Sequence, residues 1–229
     1  QTGMLGGVLG IILAIVMVIV TWGAGVGAVI GAATAAEAAV GTAEEDAGMN
    51  VEQVRWSQAA GWEPHRPGQL SQSAQLVLVF GSTSLLKTGQ FFEEIRTAYP
   101  RAQVLGCSTA GEICGTRVFD GSIVVTAVHF EHSHLEGVSL SIKDAADSLG
   151  LGERLAKSLP PENLAHVFVL SEGLNVNGSE LVKGLSTHLP PHVTVTGGLS
   201  GDGARFQETY VLWNDAPARN TVAAVGFYG

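Results

Sequence analysis

At 229 residues the chain has room for one or two domains. An apolar content of 46% against 14% charged residues points to a membrane segment joined to a well-cored domain. The net charge of −9, with no basic patch, argues against nucleic-acid binding. Cys107 and Cys114 make no disulfide framework, and a reducing cytosol is the expected setting.

Residues 1–48 hold no Lys or Arg and four acids, Glu37, Glu44, Glu45 and Asp46, which leaves −5 for residues 49–229. Residues 4–36 carry no charge, a run longer than the ~20 residues of a spanning helix. Gly23, Gly27, Gly31 and Ala35 recur every four residues, so a helix would carry them on one face open to close helix contact. We expect one transmembrane helix within residues 1–36, either dimerising through this row or spanning singly with a small-residue tail. The missing basic leader disfavours a signal peptide. Arg55 and Arg66 lean the rest of the chain toward the cytoplasm. Met49 opens a stretch that would serve as a natural start, so residues 1–48 could be foreign to the protein, which would then be cytoplasmic. Residues 37–74 read as a linker, acidic at first and then loop-like around Trp62, Pro64 and Pro67.

From residue 75 the pattern is that of an α/β (α+β) domain running to 229. Residues 75–80 form a buried strand. Phe91, Phe92, Ile95 and Ala98 have helical spacing, and Pro100 ends that helix. Residues 123–130 are a strand with Ile123, Val125, Ala127 and His129 on one face. Residues 135–142 alternate and are expected to pair with it as a hairpin. A helix over 144–159, with Asp144 as N-cap, stops at Pro160 and Pro161. Strand 166–170, helix 178–189, strand 193–196 and closing strands 210–213 and 222–228 follow. The expected architecture is a mixed β-sheet with helices packed on it.

A shift of 90 residues lays the second half on the first. Val77-Leu78-Val79-Phe80 falls on Val167-Phe168-Val169-Leu170, Thr97 and Pro100 on Thr187 and Pro190, and Gly111-Glu112 on Gly201-Asp202. This internal pseudo-repeat implies two related lobes whose glycine-rich turns could face one site.

Gly106-Cys107-Ser108-Thr109-Ala110-Gly111-Glu112-Ile113 with the preceding Arg96-Thr97-Ala98-Tyr99-Pro100, then Gly121-Ser122-Ile123-Val124-Val125, then residues 197–203, resemble the N-terminal half of the FIST sensory domain. The resemblance runs from about residue 75 to 229. It implies a bacterial signal-input domain for small ligands such as amino acids. A subset of the family are haem-containing nitric-oxide sensors that act on histidine kinases. The family domain ordinarily continues into a C-terminal half.

Backbone amides at Gly106, Cys107, Gly111, Gly197 and Gly198 could cradle an anion. Glu112 and Asp202 could hold a ligand ammonium, and Ser108, Thr109 and Ser200 could add hydroxyl contacts. Alternatively, the glycines only satisfy tight turns while the acids cap helices or face water. Cys107 follows a strand as a nucleophile would, which makes a Cys107-dependent hydrolase or transferase the enzymatic alternative. The sequence offers it no base, and a small buried thiol is the plainer reading. His129, His132 and His134 form a His-x-x-His-x-His cluster that could ligate metal or haem, or lie on a solvated turn. The expected function is non-enzymatic sensing of a small polar ligand, with a histidine kinase or another signalling protein as partner. A haem-based nitric-oxide sensor is the alternative.

Overall fold

The computed structural model describes residues 48–229. The expected transmembrane helix over residues 1–36 lies outside them. Among the described residues no helix is long and apolar enough to cross a membrane.

The strand expected at 75–80 is β3, Leu76–Ser82. Its alternating side chains serve two cores, which explains the unbroken apolar run. Leu78 and Phe80 point into the space between two sheets, and Val77 and Val79 point to a helix on the outside. β3 pairs in parallel with β4 (Gln103–Thr109) and antiparallel with β7 (Ser122–Phe130). With β1 (Met49–Ser57), β2 (Gly61–Glu63) and β11 (Val211–Trp213) they make a six-stranded sheet ordered β11-β4-β3-β7-β1-β2. A second sheet is ordered β10-β9-β12-β8, from β8 (His134–Ser141), β9 (Leu164–Ser171), β10 (Thr194–Leu199) and β12 (Thr221–Tyr228). A small hairpin, β5 (Glu112–Cys114) with β6 (Arg117–Phe119), stands apart.

The sheets pack face to face. Leu78, Phe80, Leu105, Cys107 and Phe130 meet Phe168, Leu170, Val225 and Phe227. Helix α1 (Thr83–Leu86) is one turn after β3. Helix α2 (Gln90–Ala98) buries Phe91 and Ile95 on the outer face of the first sheet. Helices α3 (Ser148–Lys157) and α4 (Gly178–His188) cover the outer face of the second with Leu151, Leu155, Leu181 and Leu185. They lie backbone to backbone because a Cβ on Gly152 would come within 2.2 Å of the Leu181 carbonyl oxygen. The layers therefore run helix, sheet, sheet, helix.

The pseudo-repeat holds in three dimensions. β3, α2, β4, β7 and β1 correspond to β9, α4, β10, β12 and β8, and both sheets use the same parallel and antiparallel pairings. The register adds a correction. Val79 faces Gly106 as Val169 faces Gly197, so the offset is 90 at the first strand and 91 at the second. Gly111, rather than Glu112, is then the counterpart of Asp202.

Three further expectations change. Residues 49–57, assigned to the linker 37–74, pair along their whole length with β7. Asn50 and Glu52 interrupt the apolar pattern there and hid the strand. β8 does not form a hairpin with β7, because residues 131–133 carry the chain from one sheet to the other and β8 pairs with β12. The helix expected from Asp144 begins at Ser148, and Asp147 caps it by accepting from the Gly150 amide at 2.7 Å. Asp144 belongs instead to a 3-10 turn capped by Ser141.

Candidate functional site

The carboxyl ends of the four parallel strands converge. After β4, the Ser108 carbonyl accepts from the Gly201 amide at 2.8 Å, joining the first sheet to the turn that follows β10. After β3, Thr83 Oγ1 donates to the Gly201 carbonyl at 3.4 Å. After β9, the Ser171 carbonyl accepts from the Ser200 amide at 2.7 Å. Gly201 lies close against the first half: a Cβ there would sit 3.2 Å from the Ala110 nitrogen. The strand ends of an α/β sheet are where its ligands ordinarily bind, since loops there leave crevices and free amides.

The two turns are shorter than expected. Gly106, Cys107, Ser108 and Thr109 belong to β4, and Gly197 and Gly198 belong to β10. Gly106 and Gly197 serve close strand packing: added Cβ atoms would meet the Val79 and Val169 carbonyl oxygens at 2.1 and 1.8 Å. Of the two expected turns, what lies outside the strands is Ala110 and Gly111 on one side and residues 200–203 on the other, the latter opening the longer connection to β11.

Both turn acids are buried and committed to protein donors. Glu112 accepts from Thr109 Oγ1 at 2.7 Å, Ser122 Oγ at 2.8 Å and the Ser122 amide at 3.1 Å. Burial raises its carboxyl above the ordinary range, against these hydrogen bonds and with a small further push from Asp120. Burial also pushes Asp202 up, but donors outweigh it. Arg205 binds through Nε and Nη2 at 2.9 and 2.6 Å, and the Gln207 and Glu208 amides at 3.1 and 3.2 Å. The result is a carboxyl held down at about 2. Each buried acid thus has its oxygens satisfied by nearby donors, which fixes its position.

Ser108 is fully buried and ties the end of β4 to Tyr210, the residue just before β11. Its amide donates to the Tyr210 carbonyl at 2.9 Å, and its Oγ accepts from the Tyr210 amide at 3.0 Å. Ser200 differs. Its hydroxyl is buried and has no hydrogen-bond partner among the described residues. Buried hydroxyls are ordinarily paired, because an unpaired one forfeits its hydration. The surface beside it is open at Ala110 and Ala204 and half-open at Gly201 and Gly203.

Sequence reasoning missed Thr83, Glu172, Thr209 and Tyr210. Glu172 is buried at the end of β9 and accepts from the Leu174 and Asn175 amides at 2.9 and 2.7 Å. Thr209 Oγ1 accepts from the Gly173 amide at 3.1 Å. An acid directly after an apolar strand was the legible signal for Glu172. Thr83 and Thr209 carried none.

Cys107 lies in the core between the sheets, fully buried, and burial pushes its thiol up to about 12. Such a thiol supplies no thiolate near neutral pH. The three histidines do not converge. His129 Nδ1 lies 2.9 Å from the Ser73 carbonyl oxygen, His132 is beside Glu131, and His134 stacks on Tyr228 at 4.7 Å. Among the described residues no three His, Cys, Asp or Glu side chains are grouped to hold a metal ion. A haem wants an apolar slot with an axial ligand. The open groove of about 420 Å³ beside α2 is lined by Arg66, Pro67, Glu93, Glu94, Thr97 and Ala98, none of them a usual axial ligand of haem iron.

No curated protein matches the chain. The family model of the FIST N domain matches residues 75–229, and the chain belongs to this family of sensory, signal-transduction domains.

Proposed function

We propose that this chain is a non-enzymatic signal-input module that binds a small polar ligand, such as an amino acid, where the four strand ends meet. The observation that carries the reading is the buried, unpartnered hydroxyl of Ser200 beside the joint between the Ser108 carbonyl and the Gly201 amide. In this reading Ser200 makes the direct contact, Thr83 and Thr109 border it, and Glu112 and Asp202 hold the walls. A ligand bridging the joint would bias the relative positions of the two sheets, and that population shift is the signal. A histidine kinase or another signalling protein would read it, with residues 4–36 anchoring the module to a membrane. The buried thiol of Cys107, pushed up to about 12, favours sensing over cysteine-dependent hydrolysis or transfer.

Calorimetric titration of the full chain with the common amino acids tests this. Saturable binding of at least one, weakened about tenfold or more in Ser200→Ala, is expected, since a hydrogen bond to a buried group contributes on the order of 1–2 kcal/mol. If Ser200→Ala binds as well as the parent, the site lies elsewhere.

A further inference from the structure

The two halves differ at one sheet edge. In the first sheet β4 is covered by β11, with Leu212 opposite Gly106. Residues whose backbone groups face β11 are Val104, Gly106 and Ser108: the Ser108 amide donates to the Tyr210 carbonyl at 2.9 Å, and the Asn214 amide donates to the Val104 carbonyl at 2.9 Å. The 91-residue offset places their counterparts on β10 at Val195, Gly197 and Leu199. The ladder agrees. The Ser200 amide points back to β9, so by alternation 194, 196 and 198 face β9, and 195, 197 and 199 face away. Among the described residues β10 is the last strand of its sheet, and nothing pairs with that side. β4 is buried almost throughout, whereas β10 is half-exposed along its length.

Natural sheets guard such an edge with charge, proline or a bulge. β10 has none of these: its sequence is Thr-Val-Thr-Gly-Gly-Leu. Leu199 is 41% exposed, and two other exposed apolar side chains, Leu174 and Val182, belong to the loop entering α4 and to α4 itself, the helix packed on this strand.

We propose that β10 pairs antiparallel with β10 of a second copy across a two-fold axis at Gly197, joining two four-stranded sheets into one of eight. The outward groups are symmetric about Gly197. Gly197 faces its own copy, and Val195 of one chain faces Leu199 of the other, so each pair can exchange both of its hydrogen bonds. Gly197 at the centre lets the backbones approach without side chains. The uncharged, β-branched strand is also the kind of partner that its own edge accepts. The half-exposed Val195 and Leu199 would cover each other on the helix side.

Amide hydrogen exchange on the full chain at several concentrations decides this. The amides of Val195, Gly197 and Leu199 are expected to exchange at least about tenfold more slowly in concentrated than in dilute samples. Val195→Pro removes an outward N–H without touching the ladder to β9, and Leu199→Lys places a charge in the pair. Both variants are expected to keep the parent's circular dichroism and lose the concentration-dependent protection at Gly197. Fast exchange at every concentration would overturn the proposal. So would protection that dilution leaves unchanged, which would mean a segment of the same chain or another bound strand occupies the edge. Leu199 is already exposed, so Leu199→Lys stays informative if Val195→Pro fails to fold.

Discussion

The β4 edge and the β10 edge are two copies of one design under different cover. Both end a βαβ unit, both carry a glycine that lets a neighbouring carbonyl approach, and a buried acid follows each within a few residues. One is sealed by β11, and Trp213 on that strand packs against Gly137, where any Cβ would lie 2.2 Å from the indole. The other, among the described residues, is the last strand of its sheet. The two halves share the packing solution and differ in what surrounds it.

The glycine pair tests the shared part and should give the largest effect. Gly106→Ala and Gly197→Ala are each expected to destabilise by about 3 kcal/mol or more, because backbone carbonyls cannot retreat from the new Cβ. Gly197 should be the worse, since its φ of +150° suits glycine alone. Tolerance of either substitution in chemical denaturation would break the correspondence.

His166 tests a point of divergence, because its counterpart in the first half is Leu76. Its ring nitrogens lie 2.7 and 2.8 Å from Thr194 and Thr196 hydroxyls, and burial pushes it down to about 4. Above pH 6.5 the ring is neutral whether folded or unfolded. As pH falls from 6.5 toward 4 the unfolded chain takes up the proton and the folded chain does not. Stability should therefore fall by roughly 3 kcal/mol across that window. His166→Leu, which installs the first-half residue, should flatten that part of the pH profile, and a profile identical to the parent's would contradict the assignment.

The repeat, the strand–helix order and the acid-bearing turns were legible because apolar runs, helical spacing and prolines are local. The division into two sheets was not. Alternation in residues 135–142 says which side chains are buried, but not whether β8 pairs with β7 or with β12, nearly ninety residues away. β1 escaped notice because Glu52 breaks its pattern, yet that carboxylate is buried and accepts from the Gly68 and Leu70 amides at 3.0 and 2.8 Å. Of the candidate site, the residues were readable and their commitments were not. Glu112 and Asp202 look like ligand groups until Ser122, ten residues on, and Arg205, three residues on, turn out to hold them.

Smaller effects sharpen the comparison at its edges. Ser108→Ala leaves the half-buried Tyr210 amide without its acceptor and should cost about 1 kcal/mol. At the corresponding open position, Leu199→Ala should change the stability of the isolated chain by only about 0.5 kcal/mol. Similar losses at both positions, measured by urea unfolding under dilute conditions, would show that the β10 edge is no more open than the β4 edge.

The central claim is that the ligand binds where the four strand ends meet. Backbone amide shifts recorded while the full chain is titrated with an amino acid that it binds test this most directly. The account predicts coincident shifts at Thr83, Ser108, Ser200 and Gly201, which belong to both halves. Shifts confined to Arg66, Glu93, Glu94 and Thr97, around the groove beside α2, would place the ligand on one half alone and contradict it.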